Sequence, residues 1–119
     1  MKVIVTGGRN YCDAKRVDEA LTIIRPSEII HGGARGLDTL AGLWAQKHNI
    51  KVKVYPAYWD TFGLSAGPKR NQLMLSDNQD AMVLAFPGGR GTGHCVGLAR
   101  KMGMRVTGVD YMKEGIYEL

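Results

Sequence analysis

Short apolar runs alternate along this chain with stretches whose apolar residues recur every three or four positions. Lys2–Thr6 has the pattern of a buried strand. Asp13 is a good helix N-cap, and Val17, Ala20, Leu21 and Ile24 follow at i, i+3, i+4 and i+7. That spacing predicts a helix to about Arg25, closed by Pro26. Glu28–His31 is a second strand, and Leu37, Leu40, Ala41 and Trp44 repeat the helical spacing up to His48-Asn49. Lys51–Tyr55 alternates lysine with valine, as an edge strand with one wet face would. Residues 55–66 have no clear period and read as a long irregular loop. Gly67-Pro68 opens a third helix, since proline suits a first turn, with Leu73 and Met74 expected to face the core. Ala81–Phe86 is strand four. A last helix runs from about Gly91 to Lys101, with Cys95, Leu98, Ala99 and Met102 inward and Gly97 allowing close packing on the sheet. Arg105–Val109 is strand five, and Tyr111–Leu119 a short tail or hairpin.

Strands alternating with helices imply a parallel sheet, right-handed crossovers and helices on both faces. The expected fold class is therefore α/β: one Rossmann-like three-layer domain over residues 1–119, with a five-stranded, mainly parallel sheet. The favoured strand order is 3-2-1-4-5, against the alternative 2-1-3-4-5. In the favoured order the chain reverses between strands one and four, and open sheets of this kind bind ligands at that crevice.

Three strands end alike. Val3-Ile4-Val5-Thr6 runs into Gly7-Gly8-Arg9, Glu28–His31 into Gly32-Gly33-Ala34-Arg35-Gly36, and Val83–Phe86 into Pro87-Gly88-Gly89-Arg90-Gly91-Thr92. Glycine lets a backbone turn tightly and approach another molecule closely. The unpaired N–H groups and dipole of the helix that follows favour an anion. One such turn is a weak signal, but three of the same design point to a phosphate site.

The formal charge of +5 arises from 16 Lys and Arg against 11 Asp and Glu. Segments 6–10, 31–38, 66–71 and 86–94 hold Arg9, Arg35, Lys69, Arg70 and Arg90 with a single acid, Asp38, and carry nearly all of that excess. The charge belongs to the turns and predicts an anionic partner. Tyr55, Tyr58, Trp59 and Phe62 crowd four of the nine aromatics into eight positions. They are read either as a lid that stacks on a base, through Tyr58, Trp59 and Phe62, or as rings folded onto the core or into a dimer interface. No apolar run of 18 residues occurs and Met1-Lys2 leads straight into a strand, so neither a membrane span nor a signal peptide is expected and the location is read as cytoplasmic. Cys12 and Cys95 are read as free thiols. No Cys/His cluster suggests a metal, and no cofactor is expected.

The chain lacks G-x-x-x-x-G-K-[ST], and its first turn lacks G-x-G-x-x-G, so neither a P-loop nor a standard NAD-dependent dehydrogenase fits. Pro87-Gly88-Gly89-Arg90-Gly91-Thr92 instead resembles the PGGxGT signature of the LOG, or lysine decarboxylase-like, phosphoribohydrolases. Gly32-Gly33-Ala34-Arg35-Gly36-Leu37-Asp38 and Pro68-Lys69-Arg70-Asn71 resemble two motifs of the DprA DNA-processing family. Both families belong to the SLOG superfamily of Rossmann-like nucleotide binders. The four motifs in order most resemble its small YspA-like branch.

The resemblance implies a nucleotide or nucleotide-derived ligand, ADP-ribose-like or cyclic, held by a sensor or sequestering protein. Its phosphates would lie on Gly7, Gly8, Gly32, Gly33, Gly36, Pro87, Gly88, Gly89, Gly91 and Thr92, facing Arg9, Arg35, Lys69, Arg70 and Arg90, with Asp38 or Asn71 at the ribose. A homo-oligomer, dimer or tetramer, is expected. The phosphoribohydrolase signature continues to a glutamate, and Cys95 stands at that position here, preceded by His94. Cleaving an N-glycosidic bond requires a carboxylate beside the developing positive charge. Binding is therefore favoured over hydrolysis, and single-stranded DNA is the third reading. Asp38 is read first as a helix-start carboxylate serving its own backbone or a neighbouring arginine, and second as a ribose acceptor. A His94–Cys95 nucleophilic pair is disfavoured, because neighbours on a helix point about 100° apart.

Overall fold

A computed structural model describes all 119 residues. Its sheet has the order β3-β2-β1-β4-β5-β6, formed by β1 (Lys2–Thr6), β2 (Glu28–His31), β3 (Lys51–Val54), β4 (Met82–Ala85), β5 (Val106–Val109) and β6 (Ile116–Glu118). The first five are parallel in the expected order, with Val3 beside both Ile29 and Met82. The C-terminal segment forms the hairpin alternative. It adds β6 antiparallel to β5, pairing Gly108 with Tyr117, so the sheet has six strands rather than five.

Side chains alternate across the sheet with the period of two that strands impose. Val3, Val5, Ile29 and Leu84 pack under α1 (Ala14–Ile24) and α2 (Leu37–Lys47), against Val17, Leu21, Leu37 and Ala41. Ile4, Ile30, Val83 and Ala85 face the other way, toward Met74, Leu75, Cys95 and Ala99 of α4 (Ala66–Ser76) and α5 (Arg90–Lys101). Burial of both faces explains why β1 and β4 are continuous apolar runs. The Asp13 carboxylate accepts the Arg16 N–H at 3.0 Å, capping α1 as its residue type predicts. No helix is long and apolar enough to cross a membrane.

Four local expectations change. Residues 55–66 are not an irregular loop: α3 (Trp59–Phe62) and a 3₁₀ turn (Gly63–Ser65) lead directly into α4. Leu73 is 54% exposed rather than turned to the core. The inward stripe of α4 runs through Ala66, Gly67, Asn71, Met74 and Leu75, and Leu73 lies on the far side of Asn71. Gly97 is exposed, and a Cβ there would meet nothing within 4 Å, so it provides no close packing. On β3, Val52 is half-buried but Val54 is 48% exposed, so the alternation does not give this edge strand a fully dry face.

Candidate functional site

The loops after β1 and β4 are bound to each other at the C-terminal edge of the sheet. Phe86 N–H donates to Thr6 O at 2.8 Å, and Gly8 N–H donates to Pro87 O at 2.9 Å. The loop after β2 joins from the other side, where Leu37 N–H donates to Gly8 O at 3.1 Å. All three glycine turns thus meet around Gly8. Glycine is required at two of these contacts. Gly36 has φ of +79°, and a Cβ there would overlap the carbonyl oxygens of Gly8 and Arg9. A Cβ on Gly88 would overlap Thr92 Oγ1 and sit 2.7 Å from Gly8 N.

Between the turns lies a crevice of about 170 Å³, lined by Thr6, Gly7, Gly8, Arg9, Asp38, Arg70, Asn71, Gly89, Arg90, Gly91 and Thr92. The first turn of α5 forms one wall. Its N-cap, Gly89, offers no side-chain cap, and the N–H groups of Arg90, Gly91 and Thr92 bond to nothing in the chain. Such an end attracts anions by its free donors and by its dipole. Opposite, Arg70 is fixed by donating from Nη1 to Gly32 O (2.7 Å) and Tyr55 O (3.4 Å) and from Nε to Asn71 Oδ1 (2.9 Å). Arg70, Arg9 and Arg90 make no ion pair with any carboxylate. Burial lowers the pKa of Arg70, so an anion would relieve a desolvated charge.

Residues 1–62, which supply two of the three turns, match the family described as "YspA, cpYpsA-related SLOG family". The chain belongs to this SLOG family. It is 37% identical over 117 residues to the Gene 61 protein of Mycobacterium phage D29, covering 88% of this chain and 93% of that protein. Its fold resembles DNA processing protein A (DprA) from Streptococcus pneumoniae, with a TM-score of 0.54 at 18% identity over 88% of this chain. The chain spans only 57% of that structure, and at this identity the likeness concerns the fold.

In this SLOG protein the predicted residues divide by role. Gly7, Gly8, Arg9, Asp38, Arg70, Asn71, Gly89, Arg90, Gly91 and Thr92 line the crevice. Gly32, Gly33, Gly36, Pro87 and Gly88 do not, and instead supply the turn backbone behind it. A Cβ on Gly32 would overlap the Arg70 guanidinium. Arg35 is exposed and lines no cavity with them, and Lys69 sits over the Phe62 ring at 5.0 Å, outside the crevice. Thr6 is an addition, and its position as the last β1 residue before Gly-Gly was the available signal.

A second, apolar groove of about 260 Å³ adjoins through Arg70, which lines both. Tyr58 and Phe62 line it, with Tyr55, Pro56, Ala66, Lys69 and Leu73. Trp59 does not. It lies under the Arg9 guanidinium at 5.2 Å and beside Gly67, so of the three rings expected to stack on a base only two face the groove. Tyr55, one of the aromatics the sequence singled out, is folded into the core beneath the groove, whereas Leu73 was expected to face the core.

Asp38 and His31 brace the second turn. Asp38 Oδ2 accepts the N–H groups of Gly32 (3.1 Å) and Ala34 (3.2 Å), the backbone role anticipated for it. Burial pushes its carboxyl above the ordinary aspartate range, while those amides and the Arg70 charge pull the other way. His31 Nδ1 accepts Gly33 N–H at 2.9 Å, which places the ring proton on Nε2. Burial lowers the His31 pKa and favours that neutral ring.

Cys95 is fully enclosed in the core, where burial pushes its thiol up to about 11. A thiolate is not accessible there. His94 faces away from it, with Nδ1 3.1 Å from Asn71 Nδ2, so the two are not a nucleophilic pair. Asp38 is the one carboxylate that lines the crevice.

Proposed function

We propose that this chain, working as one domain over residues 1–119, binds a nucleotide or nucleotide-derived ligand of ADP-ribose-like or cyclic type, as a sensor or sequestering protein of the cytoplasm. One observation carries the reading. The uncapped start of α5 converges with Arg9, Arg70 and Arg90, none of them ion-paired, on a crevice of about 170 Å³. The phosphate occupies this crevice and the base lies against Tyr58 and Phe62 in the adjoining groove. Arg70 is the shared wall. The crevice alone is smaller than the roughly 300–1,000 Å³ typical of small-molecule sites, which favours a ligand that spans both.

Binding is preferred to hydrolysis because the phosphoribohydrolase glutamate is replaced by the enclosed Cys95. The test is mass spectrometry of small molecules that co-purify, followed by calorimetry with AMP and ADP-ribose. Micromolar binding with no free base released on long incubation is the expected result. Steady release of base would make the protein a hydrolase and assign the chemistry to Asp38, provided Asp38→Asn abolished it.

A further inference from the structure

Asp38 does more than brace its loop. Both backbone N–H groups converge on one oxygen, Oδ2, at 3.1 and 3.2 Å. The other oxygen, Oδ1, bonds to nothing in the chain. No enclosed side-chain polar atom of the protein lacks a partner, and Asp38 lines the crevice, so Oδ1 opens into it. The residue is only 7% exposed, and no arginine or lysine lies within ion-pair distance of it. A ligand that fills the crevice takes water away from this oxygen and must bring a donor in its place, because an unmatched polar group away from water is costly.

The rest of the crevice has the opposite character. The α5 N–H groups, Arg70 and Arg90 offer only donors and positive charge. A bare phosphate would satisfy that side, but its negative charge would be repelled by the Asp38 carboxylate. A ligand complementary to both sides carries an anion and a hydroxyl group a few bonds apart. A phosphorylated ribose has that chemistry. A DNA strand does not, since its 2′ carbon bears hydrogen and its 3′ oxygen is esterified.

We infer that Asp38 Oδ1 is a specificity determinant that accepts a free ribose hydroxyl, making the site selective for a nucleotide that keeps this hydroxyl over its deoxy analogue and over DNA. This rests on the phosphate reading proposed above. It also assigns the two carboxylate oxygens separate duties, one to the loop and one to the ligand.

The experiment is calorimetry of the native protein with AMP, 2′-deoxy-AMP, 3′-deoxy-AMP and inorganic phosphate. At least one deoxy form is expected to bind about tenfold or more weakly than AMP, as loss of a charge-assisted hydrogen bond implies. Asp38→Asn is the partner measurement. Its amide oxygen can keep the Gly32 and Ala34 N–H groups while its NH₂ presents a donor to the crevice, so the preference for AMP should collapse and inorganic phosphate should bind more tightly. The ligand series uses the native protein, so the inference stands or falls even if the variant does not fold. AMP binding with both deoxy forms within twofold of it would overturn this inference and leave the phosphate reading intact. Failure of every nucleotide to bind would overturn both.

Discussion

The amide of Gly8 donates to the carbonyl of Pro87 across 2.9 Å, joining the loops after β1 and β4, which are 79 residues apart in the chain. That bond sets the width of the crevice at the point where strand order reverses. It also separates two kinds of glycine in the Pro87–Thr92 turn: Gly88 packs against this junction, whereas a Cβ on Gly89 would meet nothing within 4 Å.

Neighbouring substitutions in that turn should therefore behave differently. Gly88→Ala drives a Cβ into Thr92 and the Gly8 amide, and overpacking of this sort costs about 1–3 kcal/mol. A Cβ on Gly89 has open space around it, so the stability cost of Gly89→Val should stay within about 1 kcal/mol, the scale of an N-cap change. Gly89 lines the crevice, so a bulkier side chain there should obstruct the ligand, and nucleotide binding should be lost. Thermal melts with calorimetry on both variants check this, and native-like affinity in a folded Gly89→Val protein would take the turn out of the site.

Arg90 and Arg70 both line the crevice but differ in what else they hold. Arg90 is exposed and unpaired, so Arg90→Ala should weaken a nucleotide by about tenfold, roughly 1.4 kcal/mol, with melting unchanged. Arg70→Ala also frees the carbonyls of Gly32 and Tyr55 from their donor, and should lower stability by about 1–3 kcal/mol as well as affinity. Arg70→Lys should rescue little, because an ammonium cannot reproduce the planar fork that reaches both carbonyls and Asn71. Equal melting temperatures for the two alanine variants would contradict the bracing role.

Salt dependence separates a pocket from a strand-tracking surface. A protein that follows single-stranded DNA loses affinity on a log–log plot with a slope of about −0.7 per phosphate contacted. One crevice holds one to three phosphates, so a shallow slope is expected for nucleotide. Oligothymidine should bind weakly and be released at physiological salt. A tight oligonucleotide complex with a steep slope, shared evenly among Arg9, Arg35, Arg70 and Arg90, would favour the DNA reading.

Cys95 gives the protein an alkaline weakness. Burial lifts its thiol from the ordinary 9.0 to about 11. As pH rises the unfolded chain loses this proton first, so the contribution is complete below about pH 9 and drains away between about pH 9 and 11, by up to about 2–3 kcal/mol. Tyr11, pushed to about 12 chiefly by burial, adds a further loss at still higher pH. Denaturant melts from pH 8 to 11 should show the decline, and Cys95→Ala should flatten its first part. In the native protein a thiol reagent should label the exposed Cys12 and spare Cys95.

Much of this architecture was legible because its determinants are local. The i, i+3, i+4 spacing of α1 and α2, the Asp13 cap and the apolar runs of β1, β2 and β4 each depend on a few neighbouring side chains. The repeated Gly-Gly-Arg endings, together with the strand order, brought most of the crevice-lining residues to one edge of the sheet. Other features rest on contacts distant in sequence, which no local pattern encodes. Whether an arginine faces the crevice depends on what its guanidinium meets after folding. Arg70 finds Gly32 O from 38 residues away and is held at the wall, while Arg35, in an equally good motif, meets nothing and points to solvent. Trp59 turns to Arg9, and Leu73 joins Tyr55 at the groove, because α3 stacks on the start of α4. Residue types and spacing determined that an anion-binding edge exists. Tertiary packing alone decided which charges line it, and left one oxygen of Asp38 free within it, because only the folded backbone fixes where the N–H groups of Gly32 and Ala34 point.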